Sequence, residues 1–362
     1  MPEPSKKRVG SSATHLSALD GLRGFAALIV VVSHSANAGF LPMALGNGLG
    51  QMGVTLFFGL SGFLMAYLYC SKPLDLKSLS EYVVNRTTRV LPLYFFVVIF
   101  TFMLFLAFDL TLLGITSSRI FIENAALFRG SNILWTIPVE VHFYVIFVGL
   151  WLASMHKHFP KLVFAMGAGQ ISVFFILYLN ELRYPDFIFS WLHVFLFGSI
   201  LGFYYERINN ALENSKLKFC LSAVAWFVLL LAIIAPPQVR RDLGFSTVAS
   251  YLDPVSVGYP LALLACTLFL LGPFSLFNQS TLRWYGKISY SLYLLHIFAV
   301  FFVQELVSRE MIPTYLGFPL VLVLATFGAS VSFYGFERPA QRILRSYIDR
   351  DRLDSKRAAS GA

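Results

Sequence analysis

The chain has 362 residues, of which 57% are hydrophobic and only 13% are charged, with a mean hydropathy of +0.69. Soluble domains are usually about one quarter charged, so this composition excludes a protein whose whole surface faces water and indicates a membrane protein. The net charge of +9 indicates that the protein is attracted to anionic lipid headgroups rather than to nucleic acid.

About ten segments are apolar and long enough to cross a bilayer, which takes about 20 residues per helix. The predicted spans are 19–41, 50–70, 90–108, 133–155, 161–180, 187–205, 217–236, 254–276, 285–307 and 314–336. We therefore predict an all-α fold, a polytopic membrane helix bundle. The connection 109–132 is predicted to carry a short interfacial helix, and the connection 237–253 is predicted to lie in water.

The N-terminal segment has no pattern of a cleavable signal peptide, so the first span is expected to remain as an anchor. Ser17 and Asp20 are predicted to form a capping box at the start of its helix. The predicted domains are a cytoplasmic tail over 1–16, a transmembrane domain over 17–342 and a basic cytoplasmic tail over 343–362.

The distribution of basic residues predicts the orientation, because cytoplasmic loops retain Lys and Arg. Ten spans place both termini on one side, and with that side in the cytoplasm all but six of the 28 basic residues are cytoplasmic. The six are Arg119, Arg129, Arg183, Arg240, Arg241 and Arg309. We predict a multi-pass protein of the cell inner membrane with both termini in the cytoplasm.

The three cysteines, Cys70, Cys220 and Cys266, lie within or beside apolar runs. Their odd number and their spacing match neither a disulfide framework nor a zinc site. No metal is predicted.

The first span carries Arg23 and His34, two side chains that are costly inside a membrane. Eleven residues make almost three helical turns, so both project from one face, about 16 Å apart along the axis. We expect both to face one water-accessible cavity, with Arg23 holding an anionic group at the cytoplasmic edge and His34 acting at depth. Two alternatives stay open: a flanking Arg23 that snorkels or pairs with Asp20, and a His34 that only packs.

Glu140 lies within the fourth predicted span, where a carboxylate must be protonated, paired or hydrated. Tyr144 follows it by four residues and shares its face of the helix. Arg23, His34 or the Arg86–Arg89 pair are the expected partners of Glu140. A purely structural buried pair is the alternative.

Arg86 and Arg89 lie three residues apart, just before the predicted start of the third span. As a cluster they would form an anion site, because guanidinium groups suit phosphates. The alternative is an ordinary positively charged flank. Of the histidines within the spans, His193 and His296 are interpreted as packing residues.

Six motifs follow one another along the chain. The first runs from Leu19 through Arg23 and Gly24 to His34. The others are Gly53–Phe58 with Ser61–Leu64, Arg86 and Arg89 followed by Pro92 and Tyr94, Trp135–Tyr144, Ser289–His296, and Phe336–Pro339. Together they resemble the acyltransferase 3 family of membrane O-acyltransferases, whose hallmark is an Arg, ten residues and a His. The resemblance covers residues 17 to 342.

The chain departs from the family pattern at four positions. Thr55 stands where Asp is frequent, Val141 where a second Glu is frequent and His142 where Gln is frequent, and Pro138 is unusual. These departures bear on the acceptor and leave the Arg23–His34 pair intact.

The resemblance implies transfer of an acyl group, often acetyl, from an acyl-CoA donor such as acetyl-CoA to a hydroxyl of a cell-surface or lipid-linked carbohydrate. On this basis His34 is expected to act as a base or to carry the acyl group, and Glu140 to orient an imidazole or bind sugar hydroxyls. Arg23 is the third expected catalytic residue, and with Arg86 and Arg89 it would bind the phosphates of the donor or stabilise the thioester oxyanion. The expected donor- and substrate-binding residues are Ser61, Arg86, Arg89, Trp135, Tyr144, Tyr290 and His296. Trp135 and Tyr144 would stack on a sugar face.

Two other functional classes fit a bundle of this size. A secondary transporter for a polar or glycan substrate would also have intramembrane charges, but usually has two repeated halves, and the sequence shows no repeat. A structural or assembly protein would not need Arg23 and His34 on one face.

Overall fold

The described part of the chain consists of helices and contains no strand. The computed structural model describes residues 7–180, 186–213, 215–245, 251–344 and 346. The helices are α1 (Lys7–Asn37), α2 (Leu49–Tyr69), α3 (Leu76–Phe108), α4 (Ser118–Ala125), α5 (Thr136–Met155), α6 (Phe159–Leu179), α7 (Ile188–Glu213), α8 (Lys216–Leu230), α9 (Pro237–Asp242), α10 (Pro254–Leu268), α11 (Ser280–Ser308) and α12 (Gly317–Ser332). A π-helical turn, Phe333–Glu337, continues α12.

Within the described ranges, nine helices are long and apolar enough to cross a membrane, or ten if one bent pair is counted as a span. The predicted polytopic helix bundle is therefore confirmed, and the chain is a multi-pass membrane protein. The short helix expected between the third and fourth spans is present as α4.

The eighth predicted span, 254–276, is not one straight helix. Pro254–Leu268 and Gly272–Asn278 meet at an angle of 78°. Leu270 and Gly272 adopt positive φ angles of 47° and 54°, which end α10 and turn the chain.

Two helices begin well before their predicted spans. Because α1 starts at Lys7, the predicted capping box is wrong: Ser17 lies inside the helix, and its hydroxyl donates to Asn278 Oδ1 at 2.5 Å. Helix α3 starts at Leu76, where the Asp75 side chain accepts from the Ser78 amide at 2.6 Å. Arg86 and Arg89 therefore lie inside α3 rather than in a flank before it.

Helix α1 lies at the centre of the bundle and packs against α2 and α11. Its contact with α11 requires glycine on both helices. A Cβ added to Gly24 would lie 2.2 Å from the carbonyl oxygen of Leu282, and one added to Gly286 would lie 1.9 Å from that of Asp20. This close approach fixes how α1, with Arg23 and His34, is placed against α11.

Helices α6 and α8 lie at the periphery and expose most of their apolar side chains, as expected for contact with lipid. Parts of the predicted tails and loops fall outside the described residues. These parts are 1–6, 181–185, 214, 246–250, 345 and 347–362. Residues 7–16 of the predicted N-terminal tail belong to α1.

Candidate active site

Helices α1, α2, α3, α5 and α11 surround a cavity, here named the arginine cavity. Its polar lining consists of Arg23, Ser61, Arg86, Arg89, Thr136, Glu140, Ser289, Tyr290 and Tyr293. Three guanidinium groups and one carboxylate line this space, so its charge is positive. Such a cavity favours an anion.

Arg86 is the most deeply buried of the three arginines, with 7% of its surface exposed. Its guanidinium carbon lies 5.9 Å from the centre of the Tyr69 ring, and its Nε has no hydrogen-bond partner in the described chain. Among the described residues, no carboxylate lies within 4.0 Å of Arg23, Arg86 or Arg89. The ion pair between Arg23 and Asp20, which the sequence analysis left open as an alternative, is therefore absent from the described contacts.

Glu140 is held by hydroxyl groups instead of the expected cations. Its Oε1 accepts from Ser61 Oγ and from the Tyr144 hydroxyl, each at 2.8 Å. The three arginines line the same cavity as Glu140 but form no direct ion pair with it in the described contacts. The two hydroxyls fix the orientation of the carboxylate toward the cavity.

A second cavity contains His34 in its wall and is named the histidine cavity. Its other polar lining residues are uncharged, and Trp135 supplies an aromatic surface. These polar residues are Ser33, Asn37, Gln51, Asn132 and Tyr293. Asn37 ends α1 and Asn132 precedes α5, so this cavity lies at the C-terminal end of α1, whereas Arg23 lies near the middle of that helix.

The two cavities share the lining residues Val54 and Tyr293. The Tyr293 hydroxyl donates to the carbonyl oxygen of Ile133 at 2.9 Å and accepts from Thr136 Oγ1 at 3.1 Å. These bonds hold the Tyr293 ring in the wall. In place of the single cavity expected for Arg23 and His34, the structure has two cavities that meet at one wall.

His34 is half-buried and lies beside His296, with ring centres 5.1 Å apart. His296 is fully buried, and its Nδ1 is 2.7 Å and 3.1 Å from the carbonyl oxygens of Tyr293 and Leu292. The packing interpretation of His296 therefore fits its burial. It lies behind His34 rather than in the lining of either cavity.

The predicted site residues thus fall into three groups. Those at the arginine cavity are Arg23, Ser61, Arg86, Arg89, Glu140 and Tyr290, and those at the histidine cavity are His34 and Trp135. Tyr144 and His296 lie behind the cavities. Tyr144 is only 6% exposed and bonds to Glu140, so it does not offer a face for the predicted sugar stacking.

Sequence reasoning did not single out Tyr293, Gln51, Asn37 or Asn132, which line the histidine cavity. Tyr293 lies in the Ser289–His296 motif, and this position in a motif is the signal by which it could have been found. The three amides are uncharged, so a search for ionisable groups within spans passes over them.

His193 lies away from both cavities. Its Nδ1 is 2.8 Å from Gln170 Nε2, and its ring packs edge-on against Phe174 at 6.0 Å. These contacts agree with the packing role that the sequence analysis gave it.

Hydrogen bonds join the rim of the histidine cavity to α9, in the connection between α8 and α10. Arg241 donates to the carbonyl oxygen of Asn47 at 2.8 Å, and Asn47 Nδ2 donates to Gln238 Oε1 at 3.0 Å. Gly48, the next residue, lines the cavity. The conformation of this connection therefore affects the mouth of the cavity.

A buried ion pair between Arg240 and Asp253 holds the same connection. Arg240 Nη1 donates to Asp253 Oδ1 at 2.9 Å, and the Ser256 hydroxyl also donates to the carboxylate. Burial opposes ionisation of Asp253, but the bonds from Arg240 and Ser256 and the Arg240 charge hold its pKa below the usual range.

The chain matches known proteins over nearly its whole length. A family model described as "Acyltransferase domain" matches residues 16–335. O-acetyltransferase OatA of Staphylococcus aureus (strain NCTC 8325 / PS 47) is 24% identical, over 91% of this chain and 58% of OatA. "Putative peptidoglycan O-acetyltransferase YrhL" of Bacillus subtilis (strain 168) is 23% identical, over 90% of this chain and 55% of YrhL. The chain thus spans a little over half the length of these relatives. No solved structure matches it.

Proposed function

The chain belongs to the acyltransferase domain family, and from this membership we propose that it is a membrane O-acyltransferase with separate sites for donor and acceptor. The donor is an acyl-CoA, with acetyl-CoA as the first choice, and the acceptor is a hydroxyl of a cell-surface or lipid-linked carbohydrate. Residues 17–342 form the transmembrane acyltransferase domain. The protein lies in the inner membrane with both termini in the cytoplasm.

The observation that carries the proposal is the arginine cavity. Arg23, Arg86 and Arg89 supply three guanidinium groups with no carboxylate partner within 4.0 Å in the described chain. Guanidinium groups bind phosphate oxygens through paired hydrogen bonds, and coenzyme A carries several phosphate groups. The preference of cytoplasmic loops for basic residues supports entry of this donor from the cytosol.

Glu140 would repel the phosphates of the donor, so we propose that it binds an uncharged part of the donor instead. Ser61 and Tyr144 occupy its Oε1, which leaves Oε2 to accept a hydrogen bond in the cavity. The amide N–H groups in the arm that links the phosphates of coenzyme A to its thiol are suitable donors. This assignment replaces the sugar-binding role expected from the sequence.

The acceptor is assigned to the histidine cavity because its lining is polar and uncharged. Amide and hydroxyl side chains with one aromatic surface suit a neutral polyol better than an anion. Ser33, Gln51 and Trp135 are examples in this lining. The name of the Bacillus subtilis relative points to a glycan as the class of acceptor.

His34 is the catalytic residue of the proposed reaction. The acceptor oxygen attacks the thioester carbonyl carbon while His34 takes the hydroxyl proton, and the C–S bond breaks. The proton then passes from His34 to the thiolate sulfur, which leaves an ester and free coenzyme A. General-base catalysis of this kind typically contributes about 10²–10⁴-fold. An acyl-imidazole on His34 is the alternative chemistry for the same residue.

The donor and acceptor sites must exchange the acyl group across the wall formed by Val54 and Tyr293. The two side chains line both cavities, so the proposed substrates would approach each other at this wall. The thioester end of the donor would reach His34 there.

The test is acyl transfer from labelled acetyl-CoA to a peptidoglycan fragment by protein purified into proteoliposomes. We expect His34→Ala to lower kcat at least 100-fold and Arg86→Ala to raise KM for acetyl-CoA at least 10-fold. Arg119→Ala is the matched control, because Arg119 is an exposed arginine paired with Glu123. Full activity of the His34 and Arg86 variants would contradict the proposal, as would glycan transport without acyl transfer.

A further inference from the structure

His296 has one nitrogen whose protonation state follows from its contacts. Its Nδ1 lies within hydrogen-bond distance of the carbonyl oxygens of Leu292 and Tyr293, which only accept hydrogen bonds. Nδ1 must therefore carry the proton. In the neutral ring, Nε2 is left as a hydrogen-bond acceptor.

This acceptor has no partner among the described residues, although the side chain of His296 is completely buried. Buried polar atoms are nearly always hydrogen-bonded, so an exception calls for an explanation in terms of function or of movement. The neighbouring ring that can supply a donor is that of His34, whose centre lies 5.1 Å away.

We infer that His296 is the positioning residue for His34, with its Nε2 accepting a hydrogen bond from an N–H of His34. Rotation about the Cβ–Cγ bond of a histidine is soft, so a small turn of the half-buried His34 ring is enough to form this bond. The inference rests on the proposed function, in which His34 is the base.

The bond to His296 would decide which nitrogen of His34 acts on the substrate. With one nitrogen of His34 donating to Nε2, the other carries the lone pair and faces the histidine cavity. When His34 takes the proton of the acceptor hydroxyl, the N–H donated to His296 becomes part of an imidazolium and its hydrogen bond strengthens. The backbone carbonyls of Leu292 and Tyr293 hold His296 in the required tautomer throughout.

A role limited to packing makes a different prediction, and two substitutions separate the roles. Asn at position 296 keeps a donor near the place of Nδ1, and so can keep the bonds to the backbone carbonyls, but it has no group at Nε2. Gln places an amide oxygen near the position of Nε2 and lacks the Nδ1 donor. If His296 positions His34, His296→Gln is the milder change. If it only supports the fold of α11, His296→Asn is the milder change.

The experiment measures acyl transfer in proteoliposomes for the wild type, His296→Gln and His296→Asn, each shown to be folded by size-exclusion chromatography. We expect kcat to fall about 10–100-fold in His296→Asn, the range found for partners that orient metal-binding histidines, and less than 10-fold in His296→Gln. Equal activity of the two variants, or higher activity of His296→Asn, would overturn the inference. An inactive wild type would instead count against the proposed function.

A second measurement does not depend on acyl transfer. Diethyl pyrocarbonate modifies unprotonated imidazole nitrogen. The protein is labelled in intact proteoliposomes, and the rate of modification of His34 is then measured by mass spectrometry. A hydrogen bond accepted by His296 makes His34 more nucleophilic, so His34 in His296→Asn should react several-fold more slowly than in the wild type or His296→Gln. The same rate in all three proteins would contradict the pairing.

Discussion

At the scale of single residues, the carboxylate of Glu140 is the group whose placement depends most clearly on its neighbours. Two hydroxyls donate to the same oxygen, one from Ser61 on α2 and one from Tyr144 on its own helix. A hydrogen bond to an ionised group contributes about 1.5–3 kcal/mol, so either hydroxyl is strong enough to select one orientation of the side chain.

Removing the Tyr144 hydroxyl tests this orientation. Tyr144→Phe keeps the ring that packs in the core and deletes one bond to Glu140. We expect the ratio kcat/KM for acetyl-CoA to fall about 10–100-fold, the kinetic equivalent of that bond energy.

The matched control is Tyr82→Phe. Tyr82 is also buried, and its hydroxyl donates to the backbone oxygen of Tyr144 at 2.8 Å, next to the site but not on Glu140. Steady-state kinetics on both variants decide the matter. A loss of the same size in Tyr82→Phe would mean that core packing, and not the carboxylate, is responsible.

At the scale of helices, the contact between α1 and α11 sets the distance between His34 and His296. A Cβ at position 286 would overlap the backbone oxygen of Asp20 at 1.9 Å, and backbone atoms cannot move aside as a flexible side chain can. We expect Gly286→Ala to separate the two helices, lower the free energy of unfolding by about 1–3 kcal/mol or more, and abolish most of the acyl transfer.

Gly328→Ala in α12 is the control, because no atom lies within 4 Å of its added Cβ. Alanine favours a helix over glycine by up to about 1 kcal/mol, so this variant should be as stable as the wild type or more so. Thermal unfolding in detergent compares the two. Equal midpoints for both variants would show that α1 and α11 do not need the close contact.

The connection between α8 and α10 depends on the buried pair of Arg240 and Asp253. Arg240→Met leaves the Asp253 carboxylate without its partner, and breaking a buried pair typically costs about 3–5 kcal/mol. The exposed Arg119→Met should change the free energy of unfolding by less than about 1 kcal/mol. Unfolding curves near pH 7 measure the difference. No loss of stability in Arg240→Met would mean that the pair does not hold the connection.

The pKa of Asp253 adds a dependence on pH to the same comparison. Because the folded state lowers this pKa, the contribution of the pair is present above the ordinary Asp pKa of about 3.9 and is lost as the pH falls through the lower folded value. The difference between wild type and Arg240→Met should therefore shrink below about pH 4. A difference that stays constant there would contradict the assignment.

Sequence patterns predicted the number of spans because a helix that crosses the bilayer needs a long run of apolar residues, and such runs are visible in the sequence. They did not predict where α3 begins, since residues 76–89 include Arg86 and Arg89, which are placed against protein and a polar cavity rather than lipid. The bend after α10 also escaped prediction, because it depends on positive φ angles at Leu270 and Gly272 within an otherwise apolar run.

Part of the candidate site could also be predicted from the sequence. Helical spacing predicted one common face for Arg23 and His34, and the cost of charge in a membrane singled out Glu140, whereas Arg86 and Arg89 were noticed only as a basic cluster before the third predicted span. The division into two cavities was not predictable, since it depends on the side chain of Tyr293 from α11 meeting Thr136 on α5 and the backbone of Ile133. Those contacts join residues that are about 160 positions apart in sequence.

At the scale of the whole molecule, the arrangement of charge and polarity is asymmetric along α1. The cationic cavity lies around Arg23, and the uncharged cavity lies around His34 and the loops that follow α1. In the proposed reaction the donor would enter the arginine cavity and the acceptor would enter the histidine cavity. The two would meet at the wall of Val54 and Tyr293, so neither would need to cross the whole bilayer.

Sidedness of the reaction tests this account most directly. Protein is inserted in one orientation into sealed vesicles, with labelled acetyl-CoA on the side of the arginine cavity and a membrane-impermeant glycan enclosed on the other. The account predicts labelled acetyl esters on the enclosed glycan with the wild type and none with His34→Ala. Transfer that occurs only when both substrates are on the same side would contradict it.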